Sequence, residues 1–101
     1  MDDTFIERTF EFGSEKVTVR FMRPERSAAD YECRYKITWP DRERNFHAYG
    51  VDEVQALTLA LQMAHVDLLT SPEGKAGLIT WLHQRDLGLP LPDTMTPKDF
   101  G

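Results

Sequence analysis

The side chains able to do chemistry in this sequence are few and widely spaced. Three histidines, His47, His65 and His83, fall on three different segments, with no His-x-x-x-His relation among them. Cys33 is the single cysteine, so neither a Cys-x-x-Cys pair nor an intrachain disulfide can form. A zinc site needs three or four converging ligands, and this spacing does not supply them; no metal and no cofactor are expected. A Cys33–histidine nucleophile would need an exposed thiol with a stabilised thiolate. Cys33 instead lies on the inward side of an alternating run, where it reads as a small buried hydrophobe. The sequence has no Gly-x-Ser-x-Gly, no phosphate-cradling glycine loop and no dinucleotide fingerprint. Carboxylates are plentiful, but none has an apolar setting that would raise its pKa; Asp52 reads as a helix cap and Asp86 as a turn former. No catalytic residue is assigned, and the reading leans away from an enzyme. One pocket is still conceivable, between a sheet and the end of a helix, lined by Tyr35, His47, Tyr49 and His65.

The elements that would position these residues follow from hydrophobic period. Residues 5–12 read as a strand with Ile6, Phe10 and Phe12 on one face, interrupted by Arg8, which suggests an edge. Gly13-Ser14-Glu15 is turn chemistry, and Val17, Val19 and Phe21 alternate in the second strand, completing a hairpin. Pro24 stops that strand, and 24–30 read as a polar loop. The third strand, 31–39, has Tyr31, Cys33, Tyr35, Ile37 and Trp39 on one side and Glu32, Arg34, Lys36 and Thr38 on the other. Such alternation marks a half-buried antiparallel strand. A fourth strand, 43–49, leaves open whether Phe46 and Ala48 or His47 and Tyr49 face inward. Asp52 with Gln55 three residues on predicts a capped helix from Glu53 to about Thr70, ended by Ser71-Pro72. Leu78 to Leu82 reads as a short strand. The fold class expected is α+β: an antiparallel four-stranded meander, one long helix packed on one face, then a short C-terminal strand or extended segment. Residues 1–92 read as one domain, and 93–101 as a loose tail.

On a helical wheel Val54, Leu57, Leu61, Ala64 and Leu68 form one apolar stripe, expected to pack on the sheet. Ala56, Leu59, Met63 and Val66 form a second, roughly opposite. Between them lie one flank of Gln55, Thr58, Gln62 and His65 and a narrower one of Glu53, Ala60 and Asp67. A helix apolar on two sides needs two coverings. The apolar C-terminal segment, with Leu78, Ile79, Trp81, Leu82, Leu87 and Leu89, is the preferred second cover. A further copy of the chain or another protein is the alternative, which would make the stripe an interaction patch.

The 101 residues suit a single core, and 41% hydrophobic with 29% charged residues is ordinary for a folded domain. A formal net charge of −5 opposes binding to nucleic acid. Arg20, Arg34 and Lys36 do alternate outward on two strands, but Glu7, Glu11 and Glu32 can pair with them across the sheet. Arg42-Glu43-Arg44 reads as a solvated charge run. Trp39, Tyr49 and Trp81 stand at element ends and are expected to cap the core. The N-terminus is acidic and no apolar run reaches the roughly 20 residues of a membrane helix. No membrane partner is expected, and a lone thiol fits the cytoplasm.

The run Ala48-Tyr49-Gly50-Val51-Asp52-Glu53-Val54-Gln55-Ala56-Leu57, continuing to Met63, resembles the central block of a family of small bacterial domains of unknown function. Tyr31 to Ile37 before it, and Leu69 to Glu73, Leu78 to Trp81 and Asp86-Leu87-Gly88-Leu89-Pro90 after it, continue the likeness over residues 17 to 92. The resemblance implies a bacterial origin and the strands-then-helix order, and brings no ligand or catalytic residue with it. The leading functional expectation is a non-enzymatic protein-interaction module, with an immunity-type or antitoxin-like inhibitor as one form. A small-molecule-binding or weakly enzymatic domain and a structural homodimer are the alternatives.

Overall fold

The computed structural model of the chain describes residues 3–92; the tail expected over 93–101 lies outside the described residues. Strand β1 (Thr4–Phe12) and strand β2 (Glu15–Met22) form the predicted hairpin, with Arg8 opposite Val19 and Phe10 opposite Val17. Gly13 closes it at φ +62°, a left-handed conformation that costs glycine little. Beyond Pro24 the chain does not leave the sheet. A three-residue strand, β3 (Glu25–Ser27), rejoins it against the start of β4 (Asp30–Thr38). Pro24 has no N–H to give a ladder, so it interrupts one long strand and splits it into β2 and β3. β4 pairs with β2 and β3 along one side and with β5 (Glu43–Gly50) along the other. The described residues therefore form six strands where a four-stranded meander and a short C-terminal strand or extended segment were expected, β3 being the addition. The sixth, β6 (Ile79–Thr80), is the short C-terminal strand, antiparallel to the end of β1.

One sheet face is dry. Phe10, Val17, Val19, Phe21, Cys33, Tyr35 and Ile37 are buried, as the alternation predicted. Register settles β5: Ala48 lies opposite Cys33 and Phe46 opposite Tyr35, so both lie on the helix side, Ala48 buried and Phe46 39% exposed at the rim, while His47 and Tyr49 lie on the other face.

Helix α1 (Glu53–Thr70) lies across β4 and β5 on the dry face. Its start is built as predicted: Asp52 Oδ1 accepts from Gln55 N–H (2.8 Å) and Gln55 Oε1 accepts from Val51 N–H (2.7 Å). Its seating is not. The residues pressed on the sheet are Ala56, Ala60, Ala64 and Leu68, all fully buried, whereas Val54 is 72% exposed. At about 100° per residue these alanines centre on the narrow flank of Glu53, Ala60 and Asp67. The two apolar stripes are thus the shoulders of one broad buried face. Leu57 and Leu61 pack against the core from one shoulder, Leu59 and Met63 from the other. Ala56, assigned to the second stripe, is at the bottom of the seam. Small side chains let the helix backbone come close, and a Cβ on Gly50 would collide with the backbone of Ala56.

The C-terminal segment packs against the helix at His65 and Leu69. A short helix, α2 (Pro72–Lys75), capped by Ser71, turns the chain back toward β6. Arg8 explains its own intrusion into the apolar face of β1. Its guanidinium stacks on Trp81, 3.7 Å from the ring centre, and donates to the carbonyls of Leu87 and Gly88 (3.1 Å each). Buried Leu87 completes the core beneath this strap.

Candidate functional site

The helix–sheet seam holds one polar group of consequence. The Tyr35 hydroxyl, on a fully enclosed side chain, donates to Asp67 Oδ2, which also accepts from Arg44 Nε (3.0 Å). Burial, reinforced by the Asp67 carboxylate, holds the Tyr35 phenol well above its ordinary range, so it stays protonated and donating. One turn away Arg42 forks onto both carboxylate oxygens of Glu73 (2.9 and 2.8 Å) and lies over the Trp39 ring (4.1 Å). That bond keeps Glu73 below the usual carboxylate range. The run 42–44, expected to be solvated, thus fastens the β4–β5 turn to the helical layer through both arginines. These arrangements satisfy their own groups.

Of the four residues of the predicted pocket, Tyr35 and His47 border one cleft of about 480 Å³, together with Arg34, Lys36 and Phe46, while Tyr49 and His65 do not line it. Tyr35 points into the seam. His47 and Tyr49 lie on the opposite, outer face of the sheet, across from Arg34 and Glu32. His65 is buried on the flank of α1, its Nδ1–H donating to the Pro90 carbonyl (3.1 Å), and desolvation lowers its pKa. A cleft of about 330 Å³ opens beside it, lined by Leu69, Asp86, Leu87 and Leu89. Cys33 is enclosed among apolar side chains, which pushes its thiol up to about 11 and leaves it unreactive near neutrality. Among the described residues, no three His, Cys, Asp or Glu side chains stand close enough to share a metal ion.

The outer face of the sheet carries paired charge. Arg20 meets Glu7 (3.4 Å), Arg34 meets Glu25 (3.7 Å), Lys36 meets Glu43 (3.8 Å), and Thr9 bonds Thr18 (3.0 Å). Such exposed pairs contribute little stability. Of the aromatic residues at element ends, Trp39 is buried, Trp81 is covered by Arg8, and Tyr49 remains exposed.

The outward sector of α1 is different. The helix has only two carboxylates, Glu53 at its first turn and Asp67 in the seam, and no lysine or arginine. The solvent side from Val54 through Gln55, Thr58, Leu59 and Gln62 to Val66 therefore carries no charge. Val51 and Val54, beside its start, are the most exposed large apolar side chains among the described residues, at 82% and 72%.

A family described as a domain of unknown function, DUF6968, matches residues 6–91. The chain belongs to this family. No curated protein and no solved structure matches it. In this DUF6968 domain no helix among the described residues is long and apolar enough to cross a membrane.

Two groups central to this DUF6968 domain escaped the sequence reading, Asp67 and Arg44. A signal existed for each. Arg44 alternates with Phe46 and Ala48, which puts all three on one face of β5. Asp67 falls seven residues, or nearly two turns, after Ala60, on the flank that became the seam.

Proposed function

We propose that this protein is a non-enzymatic interaction module of the bacterial cytoplasm that docks a protein partner on the outward sector of α1. The observation carrying this reading is the absence of charge from Val54 to Val66 in a chain with 29% charged residues. Exposed surfaces normally intersperse charge of both signs, and interface centres are depleted in it. Leu59, Met63 and Val66, half-buried along one edge of the sector, would supply the apolar contact. An immunity-type or antitoxin-like inhibitor is one form of such a module. A photo-crosslinking residue in place of Gln62, expressed in the native host, tests it against the same residue in place of Thr18 on the outer sheet face. Adducts of defined mass from position 62 alone are expected; equal or absent adducts from both would refute the proposal.

A second reading rests on the cleft beside His65, whose volume and apolar lining suit a small ligand. Ligand screening by NMR would support it through shifts confined to His65, Leu69 and Leu87. A screen that leaves those signals unmoved would remove it.

A further inference from the structure

Resting on the small-ligand reading of the cleft beside His65, we infer that its occupant is a small monocarboxylate with an apolar body, held through its carboxylate by Arg85.

Arg85 stands apart from the other arginines. Arg8, Arg42 and Arg44 are fastened as described, Arg20 and Arg34 meet carboxylates, and Arg23 and Arg26 lie over the rings of Phe5 and Tyr31. Arg85 has no ion pair, hydrogen bond or ring contact among the described residues, although it borders the cleft. Its head still has a definite place. A Cβ on Gly77 would strike Arg85 Nη2, so the guanidinium lies against the Gly77 backbone. There the cleft of about 330 Å³ meets a smaller cavity of about 50 Å³ that shares Leu69, Arg85 and Leu87.

The rest of the lining selects the ligand. Leu69, Leu87, Leu89 and Leu91 offer hydrocarbon, so a wholly polar anion would lose hydration with little to replace it. His65 spends its Nδ1–H on the Pro90 carbonyl and burial keeps the ring neutral, so it brings no second cation. Asp86 also borders the cleft, but the backbone already engages it, Oδ1 accepting from Gly88 N–H (2.9 Å). The charged group with a partner to gain is therefore Arg85, and the ligand's charge is negative. The Asp86 carboxylate and the chain's net charge of −5 oppose a dianion such as a phosphomonoester. One guanidinium fork matches one carboxylate in a planar, bidentate pair. The cleft lies at the small end of ligand-site volumes, which suits a short apolar chain.

Hexanoate, hexanol and hexylammonium, titrated separately into the full isotope-labelled chain near neutral pH and followed by NMR, test the assignment. Hexanoate should give saturable shifts at Leu69, Leu87 and Leu89, with a dissociation constant of about 1–10 mM for so small a ligand. Hexanol and hexylammonium should bind about tenfold more weakly or worse. Arg85→Gln breaks no described contact, so it should leave urea stability unchanged and weaken hexanoate about tenfold or more. Arg34→Gln, on the outer sheet face, should leave hexanoate binding as it is.

Hexanol or hexylammonium binding as tightly as hexanoate overturns the carboxylate assignment, as does hexanoate binding indifferent to Arg85→Gln; in both cases the cleft stands as a ligand site. Shifts at none of Leu69, Leu87 and Leu89 with any of the three probes remove the small-ligand reading itself, and this inference with it.

Discussion

Replacing Asp67 by alanine removes the only described acceptor of a hydroxyl that water cannot reach. Tyr35 is 1% exposed, and its hydroxyl donates to Asp67 alone. Leaving such a group unpaired costs about 1–3 kcal/mol. The Arg44–Asp67 contact adds less, because the Arg44 side chain is about half exposed; about 0.5 kcal/mol is reasonable for it. Asp67→Ala should therefore lose about 2–3 kcal/mol, a large share of the stability of a domain this size. Tyr35→Phe removes the donor without stranding it, and should cost about 1 kcal/mol. The double variant has no orphaned hydroxyl, so the two changes should couple by about 1–2 kcal/mol in a double-mutant cycle. Urea unfolding with linear extrapolation measures all four proteins. Asp67→Asn keeps an acceptor and should recover more than half the loss. A loss below about 0.5 kcal/mol for Asp67→Ala, or strict additivity with Tyr35→Phe, would show that the seam does not depend on this bond.

Three further outcomes are expected. Burial lowers the His65 pKa in the folded state, so as pH falls below about 6.5 the unfolded chain takes up that proton first; stability should drop from pH 7.5 to 5.5, and His65→Asn should flatten that slope in urea titrations. Gly50→Ala should destabilise by about 2 kcal/mol or more through collision with the Ala56 backbone, whereas Gly13→Ala, with open space around it, should cost only about 1 kcal/mol for its positive φ; equal losses in thermal melts would refute the close approach. Cys33 should resist a thiol reagent at pH 8 in the folded protein and react at once in denaturant; rapid labelling of the native chain would contradict its enclosure.

Much of this architecture is legible in the residues because burial imposes a period. Val17, Val19, Phe21, Cys33, Tyr35 and Ile37 alternate with polar partners, and all six are buried. The helix limits were equally plain, since Asp52, Gln55 and Ser71-Pro72 act through local backbone chemistry. What failed was the helix azimuth. Leucines mark apolar character on a wheel more loudly than alanines, yet only alanine allows the close approach seen at 56, 60 and 64. The seam therefore fell where the sequence looked least apolar, and Asp67 shared it unseen. β3 was hidden because Pro24 reads as a stop whether the chain turns away or merely skips one ladder bond. Arg8 looked like a flaw in β1 until its partners, 79 and 80 positions away, came into view. No local pattern can announce a contact at that separation. The predicted pocket is met in part, Tyr35 and His47 bordering one cleft without Tyr49 and His65, since strand register decides which side of β5 carries Tyr49.

The Arg8 strap bears on the order of events during synthesis. The first strand of the fold is finished by residues 69 to 80 positions later: Arg8 grips Leu87 and Gly88, and Glu11 holds Thr80 and His83. Until those residues leave the ribosome, the outer rim of β1 has no neighbour and Trp81 no stacking cation. A nascent chain halted after α1 would expose an unsatisfied strand border ready to join another such chain. Rapid emergence of residues 79–88, or a chaperone held on that border, would then protect the yield of folded protein.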